Sequence, residues 1–377
     1  RMGQVLSCTE RGRRLQEKEE SDEDVRNNNQ SGDKKKIRVI AELETGDPDD
    51  VLTLAWLAGH PRVDLIGVCM VPGTPEQVSI CHQVLSRVLL NENKAADEKQ
   101  KNDDDNNRAN SSSVVLPPIA AVNPQHQTKS GKGGCVSPWH VKPKEKNGLG
   151  LKLTRRDPDM TPEQLYSLQP DVVITGSPPK GIAAAIRSWS SAHSDDKDID
   201  EKSKKNKILP LWVCQGGFAG DSVVPEQHRL DKFKGKEMVP TYNLGGAMQD
   251  AEYLFSSSTL DHLTRIRMVA KNVCHGVVYD VAFHSKMQKI KNGNPGLEFI
   301  YDAMDRYLRK RPGGKKLHDP LAAVVALVPE VCSYAYVTPF RVKGKWGSRL
   351  EPKEGRIDIA VSYNRQVFED AFMYGMP

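Results

Sequence analysis

The chain has 377 residues, which is enough to bury a substantial core in one large or two ordinary domains. Its formal net charge is +5, but basic and acidic residues are interleaved, so we predict no nucleic-acid-binding surface and no nucleic-acid partner. No run of about 18 apolar residues occurs, so we expect no transmembrane helix. The seven cysteines are scattered and lack CxxC spacing, which indicates reduced thiols of a cytoplasmic protein rather than a disulfide framework or a zinc site.

The first residues match a lipidation pattern. MGQVLS fits the M-G-x-x-x-[ST] signal for N-myristoylation, and Cys8 is placed for a palmitoyl group. Two acyl chains would hold the protein at a membrane surface. The signal is void if Arg1 belongs to the natural protein, and a chance match in a disordered tail is the alternative. The polar composition of residues 1–36 predicts a disordered leader.

The next stretch is a short apolar run followed by an acidic turn. Residues 37–41 are rich in β-branched side chains, which predicts a buried parallel strand. A cluster of carboxylates follows it, just before a helical pattern that starts at Val51: Glu42, Glu44, Asp47, Asp49 and Asp50. Open α/β sheets bind ligands at this end of a strand, and like charges so close together favour a bound hard cation. The alternative is that Asp49 and Asp50 merely cap the helix.

Strands and helices alternate along the rest of the chain. Two charged, low-complexity tracts, residues 91–113 and 194–207, are predicted to be inserted loops. We predict strands within 60–74, 114–122, 208–214, 266–270 and 335–361, and helices over 75–90, 161–168, 249–255, 296–310 and 364–373. Residues 170–186 are predicted to form a strand, a turn and a helix, and residues 317–329 an acidic turn that opens an apolar helix. This alternation predicts a single α/β domain over residues 37–377, with a doubly wound, mostly parallel sheet.

Several segments resemble the nucleoside hydrolases in order and approximate spacing. They are GDPDD followed by HPRVDLIGV, then VVITGSPPKGIAAA, VCQGGF and LHDPLAAVVAL. In this family the acidic turn usually has the sequence D-x-D-P-G-x-D-D, so the ETGDPDD form looks like that of a divergent branch. The resemblance implies a single α/β domain that binds one calcium ion at the bottom of a ribose pocket. The implied reaction is hydrolysis of the N-glycosidic bond of a ribonucleoside or related ribosyl compound, which is therefore the expected small-molecule partner.

The resemblance also implies a metal site. Asp50 and Asp319 match the calcium ligands. Pro179 matches the position whose backbone carbonyl binds the metal in this family. A hard cation holds vicinal hydroxyls and lowers the pKa of its bound water. Carboxylates beside the sugar stabilise the positive charge of an oxocarbenium-like transition state.

The position of the usual general base differs in this sequence. Counting back from Asp50, that position holds Thr45, which cannot act as the base. Either Glu44 or Asp47 takes the role, or the base is missing. We favour Glu44, because one extra residue in the turn would align it with the carboxylate that follows the first strand in the family. That carboxylate is also a metal ligand.

The substrate side of the resemblance is partly altered. Asp49 and Asn243 match residues that contact ribose hydroxyls, and His318 matches the histidine beside the leaving base. His318 could instead be a helix-start histidine satisfied by the backbone. Thr241 replaces an acidic residue, and Asp221 stands where an asparagine normally contacts the 5′ end of the ribose. The 5′ side of the pocket is therefore altered, and the substrate need not be an ordinary nucleoside.

One loop adds two further candidates. Trp139 and His140 could stack on the base or protonate it, although loop aromatics often only seal a lid. A non-catalytic ribosyl-binding or scaffold protein with a degraded site is the alternative function, and a structural subunit of a larger assembly is a third. The sequence is compatible with a homo-oligomer.

Overall fold

The computed structural model describes residues 35–100, 114–126, 135–192, 208–259 and 262–374, without the side chains of residues 91–100. The N-terminal acylation signal, nearly all of the predicted leader and the second charged tract lie outside the described residues. Within the described residues, no helix combines the length and the apolar character needed to cross a bilayer.

The strands form one large sheet and one small one. In chain order the strands are β1 (Ile37–Leu43), β2 (Val63–Met70), β3 (Ile119–Ala121), β4 (Val172–Thr175), β5 (Leu209–Gln215), β6 (Met238–Val239), β7 (Leu263–Val269), β8 (Val278–Tyr279), β9 (Lys315–Lys316), β10 (Cys332–Val342), β11 (Lys345–Leu350) and β12 (Ile357–Tyr363). The large sheet has the order β3-β2-β1-β4-β5-β7-β12-β10-β11-β6. Neighbours from β3 to β12 run parallel, and β10, β11 and β6 extend the sheet with antiparallel pairs. The predicted mostly parallel α/β sheet is confirmed.

Helices flank this sheet. Those of the described residues are α1 (Pro48–Gly59), α2 (Pro75–Gln100), α3 (Pro138–Val141), α4 (Pro162–Tyr166), α5 (Lys180–Ala192), α6 (Tyr242–Gly246), α7 (Met248–Leu254), α8 (Lys271–Cys274), α9 (Val281–Ile290), α10 (Pro295–Lys310), α11 (His318–Leu327) and α12 (Arg365–Phe372). The helices α1 and α11 contribute to one hydrophobic cluster and α5 to another. The central strand β1 supplies side chains to both clusters, as its continuous apolar run predicts.

Some elements differ in length from their sequence pattern. Helix α2 continues to Gln100, so the first ten residues of the predicted first insert are helical, and residues 101–113 lie outside the described residues. Strand β3 is shorter than predicted, because Pro117 and Pro118 precede it and have no N–H to donate. Strands β10 and β11 are joined by Lys343 and Gly344, whose positive φ angles of 49° and 77° suit a two-residue hairpin turn.

Candidate active site

A cavity of about 410 Å³ opens where the parallel strands β1, β4, β5 and β7 end. This is the edge at which open α/β sheets bind ligands. Its lining includes Glu44, Asp47, Asp49, Asp50, Gly176, Gln215, Thr241, Tyr242, Asn243, Lys271, His275, His318 and Asp319. The structure therefore brings seven of the sequence-predicted site residues to one cavity: Glu44, Asp47, Asp49, Asp50, Asn243, His318 and Asp319.

Local capping positions the first carboxylates. Asp47 is the N-cap of α1, and Asp50 completes a capping box because its Oδ2 accepts the backbone N–H of Asp47 at 3.3 Å. Asp50 Oδ1 accepts the N–H of Glu44 at 3.2 Å. Capping thus holds the Asp50 side chain in the cavity wall, so the capping interpretation and the ligand interpretation are compatible.

A buried lysine neutralises two of the carboxylates. Lys315 Nζ lies 2.7 Å from Asp47 Oδ1 and 2.9 Å from Asp49 Oδ1. Asp49 Oδ2 accepts the backbone N–H groups of His318 at 2.9 Å and Asp319 at 3.4 Å, at the start of α11. Burial opposes ionisation of Asp49, but Lys315 and these hydrogen bonds lower its pKa below the usual range. Both oxygens of Asp49 are therefore engaged within the protein.

The other three carboxylates have no such partner. In the part of the chain that the structure describes, no Lys, Arg or His nitrogen lies within 4.0 Å of the carboxylates of Glu44, Asp50 and Asp319. Burial, followed by repulsion from neighbouring carboxylates, raises the pKa of Glu44 to about 7 and raises the pKa of Asp50 and of Asp319 well above the usual range. Nothing among the described residues therefore stabilises the ionised form of these three groups by direct ion pairing.

Close packing of the backbone leaves room for Asp319. A Cβ atom at Gly176 would lie 2.9 Å from Asp319 Oδ1, so glycine allows the carboxylate to approach the end of β4. Asn243 donates through Nδ2 to Gly176 O at 3.0 Å and to Gln215 Oε1 at 2.6 Å. Because these bonds use the NH₂ group, Asn243 Oδ1 is the atom available to accept a ligand hydroxyl.

Two histidines also line the cavity. The ring centroids of His275 and His318 are 4.9 Å apart. Burial and nearby positive charge lower the pKa of His318 to about 4 and that of His275 to about 3, so both imidazoles are neutral at pH 7. Together with the buried Cys274 they make the one set of three metal-ligating side chains, among the described residues, whose ligand atoms all lie within 4.8 Å of one another.

Four other predicted site residues do not line the cavity: Asp221, Trp139, His140 and Pro179. The carboxylate of Asp221 accepts the N–H of Gly235 at 2.7 Å and lies 3.6 Å from Arg229. His140 is fully buried, and Trp139 packs edge-on against Tyr307 at 5.9 Å. These side chains are satisfied or covered by the protein itself, and their binding roles stay predictions.

Other cavity and adjacent residues were not singled out from the sequence: Tyr242, Lys271, His275 and Lys315. Lys271 and His275 follow the strand at 263–269, and the rule that ligands bind at carboxyl ends of parallel strands could have indicated them. Lys315 lies three residues before the HDP segment, but nothing in its local sequence shows that it pairs with a carboxylate 266 residues away.

Comparisons with known proteins agree with this geometry at the level of the fold. No family model matches the chain, and no curated protein matches its sequence. Solved structures of nucleoside hydrolases do match. A plant nucleoside hydrolase, the PpNRh1 enzyme, is 14% identical with a TM-score of 0.55, over 89% of this chain and 99% of that one. A purine-preferring ribonucleoside hydrolase from Gardnerella vaginalis is 17% identical with a TM-score of 0.56, over 89% of this chain and 96% of that one.

A third match is an inosine-uridine preferring nucleoside hydrolase from Bacillus anthracis. It is 12% identical with a TM-score of 0.54, over 90% of this chain and 98% of that one. The fold of this protein is therefore the nucleoside hydrolase fold, as its sequence motifs predicted.

Proposed function

We propose that this protein hydrolyses the N-glycosidic bond of a ribonucleoside or related ribosyl compound and that it requires a divalent cation, Ca²⁺ by the family resemblance. The observation that carries the proposal is the set of uncompensated carboxylates of Glu44, Asp50 and Asp319, in one cavity at the carboxyl edge of a nucleoside hydrolase fold. Such a set is costly to bury unless a cation is bound among its members.

The donor set fits a hard cation. All three side chains offer carboxylate oxygens, the ligand type that Ca²⁺ prefers, and their pKa values are raised in its absence. When bound, the cation would hold vicinal ribose hydroxyls and lower the pKa of a water molecule. Asp50 and Asp319 would hold it together with Glu44, and the backbone carbonyl of Pro179 remains a proposed further ligand.

Glu44 is the proposed general base. It lines the cavity with the other two unpartnered carboxylates, where it can accept a proton from a water molecule. Asp47 is less suited because it bonds to Lys315. Carboxylates on this side of the cavity would also stabilise positive charge that develops on the ribosyl ring.

The leaving base is proposed to lie against His318 and Tyr242. His318 is neutral at pH 7, so it can donate a hydrogen bond to the leaving base but does not carry an imidazolium proton for it. The ring of Tyr242 lines the cavity and its residue is 73% exposed, so it is available to stack on a base. Asn243 would accept a ribose hydroxyl through Oδ1.

One observation favours the second candidate, a non-catalytic ribosyl-binding protein. Both oxygens of Asp49, the residue expected to contact a ribose hydroxyl, already bond to Lys315 and to the start of α11. Glu44→Gln separates the two functions. An enzyme would lose turnover in this variant and still bind ligand, whereas a binding protein would show no turnover in either form.

Ribose release from a panel of purine and pyrimidine nucleosides tests the proposal. We expect turnover with added Ca²⁺ and its loss with a chelator, followed by recovery when Ca²⁺ is restored. Absence of ribose release from every nucleoside and ribosyl compound tried, with Ca²⁺ shown to be bound by calorimetry, would overturn it.

A further inference from the structure

Two lysines contact His275, which lines the cavity, and a third, Lys271, lies nearby. Lys316 Nζ lies 3.5 Å from His275 Nδ1, and Lys232 Nζ contacts the same nitrogen. Lys271 lines the cavity on the adjoining helix and donates to Pro240 O at 3.0 Å, next to Thr241 in the cavity wall. The three lysines come from separate segments: the 3₁₀ turn Asp231–Phe233, the start of α8, and β9.

The positive charge of these three lysines has no acidic partner among the described residues. Among the residues that the structure describes, no carboxylate lies within 4.0 Å of the ammonium groups of Lys232, Lys271 or Lys316. Lys315, one residue from Lys316, differs because it bonds to two aspartates. Partial burial and the neighbouring Lys316 lower the pKa of Lys232 to about 8, so the two ammonium groups repel each other.

His275 adds a neutral donor to the same group. Its Nδ1 has one lone pair and faces ammonium donors, so the ring hydrogen is assigned to Nε2. The imidazole lines the cavity and can therefore donate a hydrogen bond to a ligand there. The same surroundings disfavour a metal ion on Cys274, His275 and His318, because three ammonium groups would repel a cation.

We propose that Lys232, Lys271, Lys316 and His275 form an anion subsite and that the ligand of this cavity is a phosphorylated ribosyl compound, with its phosphate monoester on these residues. The identity of the ribosyl part rests on the proposed function, but the anion subsite does not. A phosphate monoester carries close to two negative charges at pH 7, which matches three ammonium groups better than the single charge of a carboxylate does. Lysine binds phosphate as a compact point charge.

Calorimetric titration with ribose 5-phosphate and with ribose, at pH 7 and two salt concentrations, tests the subsite. We expect ribose 5-phosphate to bind at least about 10-fold more tightly than ribose, with a preference that weakens as salt rises. The double variant Lys232→Gln/Lys316→Gln should reduce this preference by about 10-fold or more, since each substitution removes one phosphate-facing charge. Both side chains are exposed, so the variant should fold, which circular dichroism checks.

Lys289→Gln is the matched control. It removes the same charge from an exposed lysine of α9 that does not line the cavity, and the preference should not change. Equal binding of ribose and ribose 5-phosphate would overturn the proposal, as would an equal effect of the double variant and the control. A third arm compares orotidine, whose base bears a carboxylate, with uridine. A lysine-dependent gain confined to orotidine would also overturn it, because the anion would then belong to the base.

Failure of the subsite and failure of the proposed function give different results. Ribose release from unphosphorylated nucleosides, without a phosphate preference, keeps the hydrolase and removes the subsite. Lysine-dependent binding of ribose 5-phosphate without hydrolysis of any ribosyl compound keeps the subsite and removes the hydrolase.

Discussion

Two groups of side chains lack partners of opposite charge within 4.0 Å among the described residues: three carboxylates of the cavity and the lysines near His275. They differ in burial. The unpaired carboxylates are buried or nearly so: Asp50 is 2% and Asp319 5% exposed. The lysines that contact His275, Lys232 and Lys316, are exposed. Water screens the basic side, so its repulsion is weak, whereas the acidic side has little such relief. The comparison indicates that the acidic side has the greater energetic need for a bound counter-ion.

Within the acidic side, Lys315 makes a second contrast. It compensates Asp47 and Asp49, while Glu44, Asp50 and Asp319 lack any basic partner within 4.0 Å among the described residues. Two of the five carboxylates therefore belong to an ion-pair network that joins α1 to the start of α11. The other three carry the proposed metal site.

Asp319→Asn tests the acidic side with the largest expected effect. If Asp319 holds the cation, ribose release should fall by about 10⁴-fold, which corresponds to about 5 kcal/mol in activation free energy. Single-turnover ribose release with saturating Ca²⁺ measures it. The control Asp302→Asn changes an exposed carboxylate of α10, and it should retain turnover. A loss of less than 10-fold in Asp319→Asn would remove Asp319 from the metal site.

The same variant should gain stability when no cation is present. The pKa of Asp319 is raised in the folded state, so this group's contribution to stability falls as the pH rises and the carboxylate ionises. Asparagine carries no charge, so in chelator the variant should have the higher free energy of unfolding, and its advantage should grow from pH 5 to pH 8. Urea denaturation across that range measures it, and an advantage that shrinks with pH would contradict the repulsion.

Lys315→Met should instead destabilise the protein. Removing Lys315 leaves uncompensated charge on the buried Asp49, and loss of one partner of a buried ion pair typically costs about 3–5 kcal/mol. The free energy of unfolding from urea denaturation measures the loss, with the exposed Lys289→Met as control. Adding Asp49→Asn should recover part of the loss, since the two residues are coupled. A loss below about 1 kcal/mol would show that the network is not structural.

Lys316→Gln should have the smallest effect, on the basic side. Relief of repulsion between two exposed ammonium groups is worth only a few tenths of a kcal/mol after solvent screening. The pKa of Lys232 should rise from about 8 toward its ordinary value of 10.5. A lowered lysine pKa makes stability rise with pH between these values, and burial, the largest cause of the lowering, remains in the variant. The variant should therefore lose only the part of that rise that is due to Lys316. Titration of the lysine side-chain NMR signals measures the pKa, and an unchanged value would mean that Lys316 does not repel Lys232.

Local patterns predicted most of the fold. The apolar run at residues 37–41 became the central strand β1, because a strand buried on both faces needs apolar side chains on both. Thr161 caps α4, as its sequence predicts, through a capping box with Gln164. Helix α2 runs beyond its apolar pattern to Gln100, because this stretch is rich in residue types of high helix propensity, such as Ala, Glu, Lys and Gln.

The sequence by itself determined the alternating α/β order and the carboxylates of the acidic turn and the HDP segment, since these depend on residues adjacent in the chain. Only the tertiary structure decided that Lys315 pairs with Asp49 and that Lys232, Lys271 and Lys316 gather near one histidine. The physical reason is that ion pairing and charge accumulation depend on distances between segments far apart in sequence. Those distances are set by how strands and helices pack, and no local pattern records them.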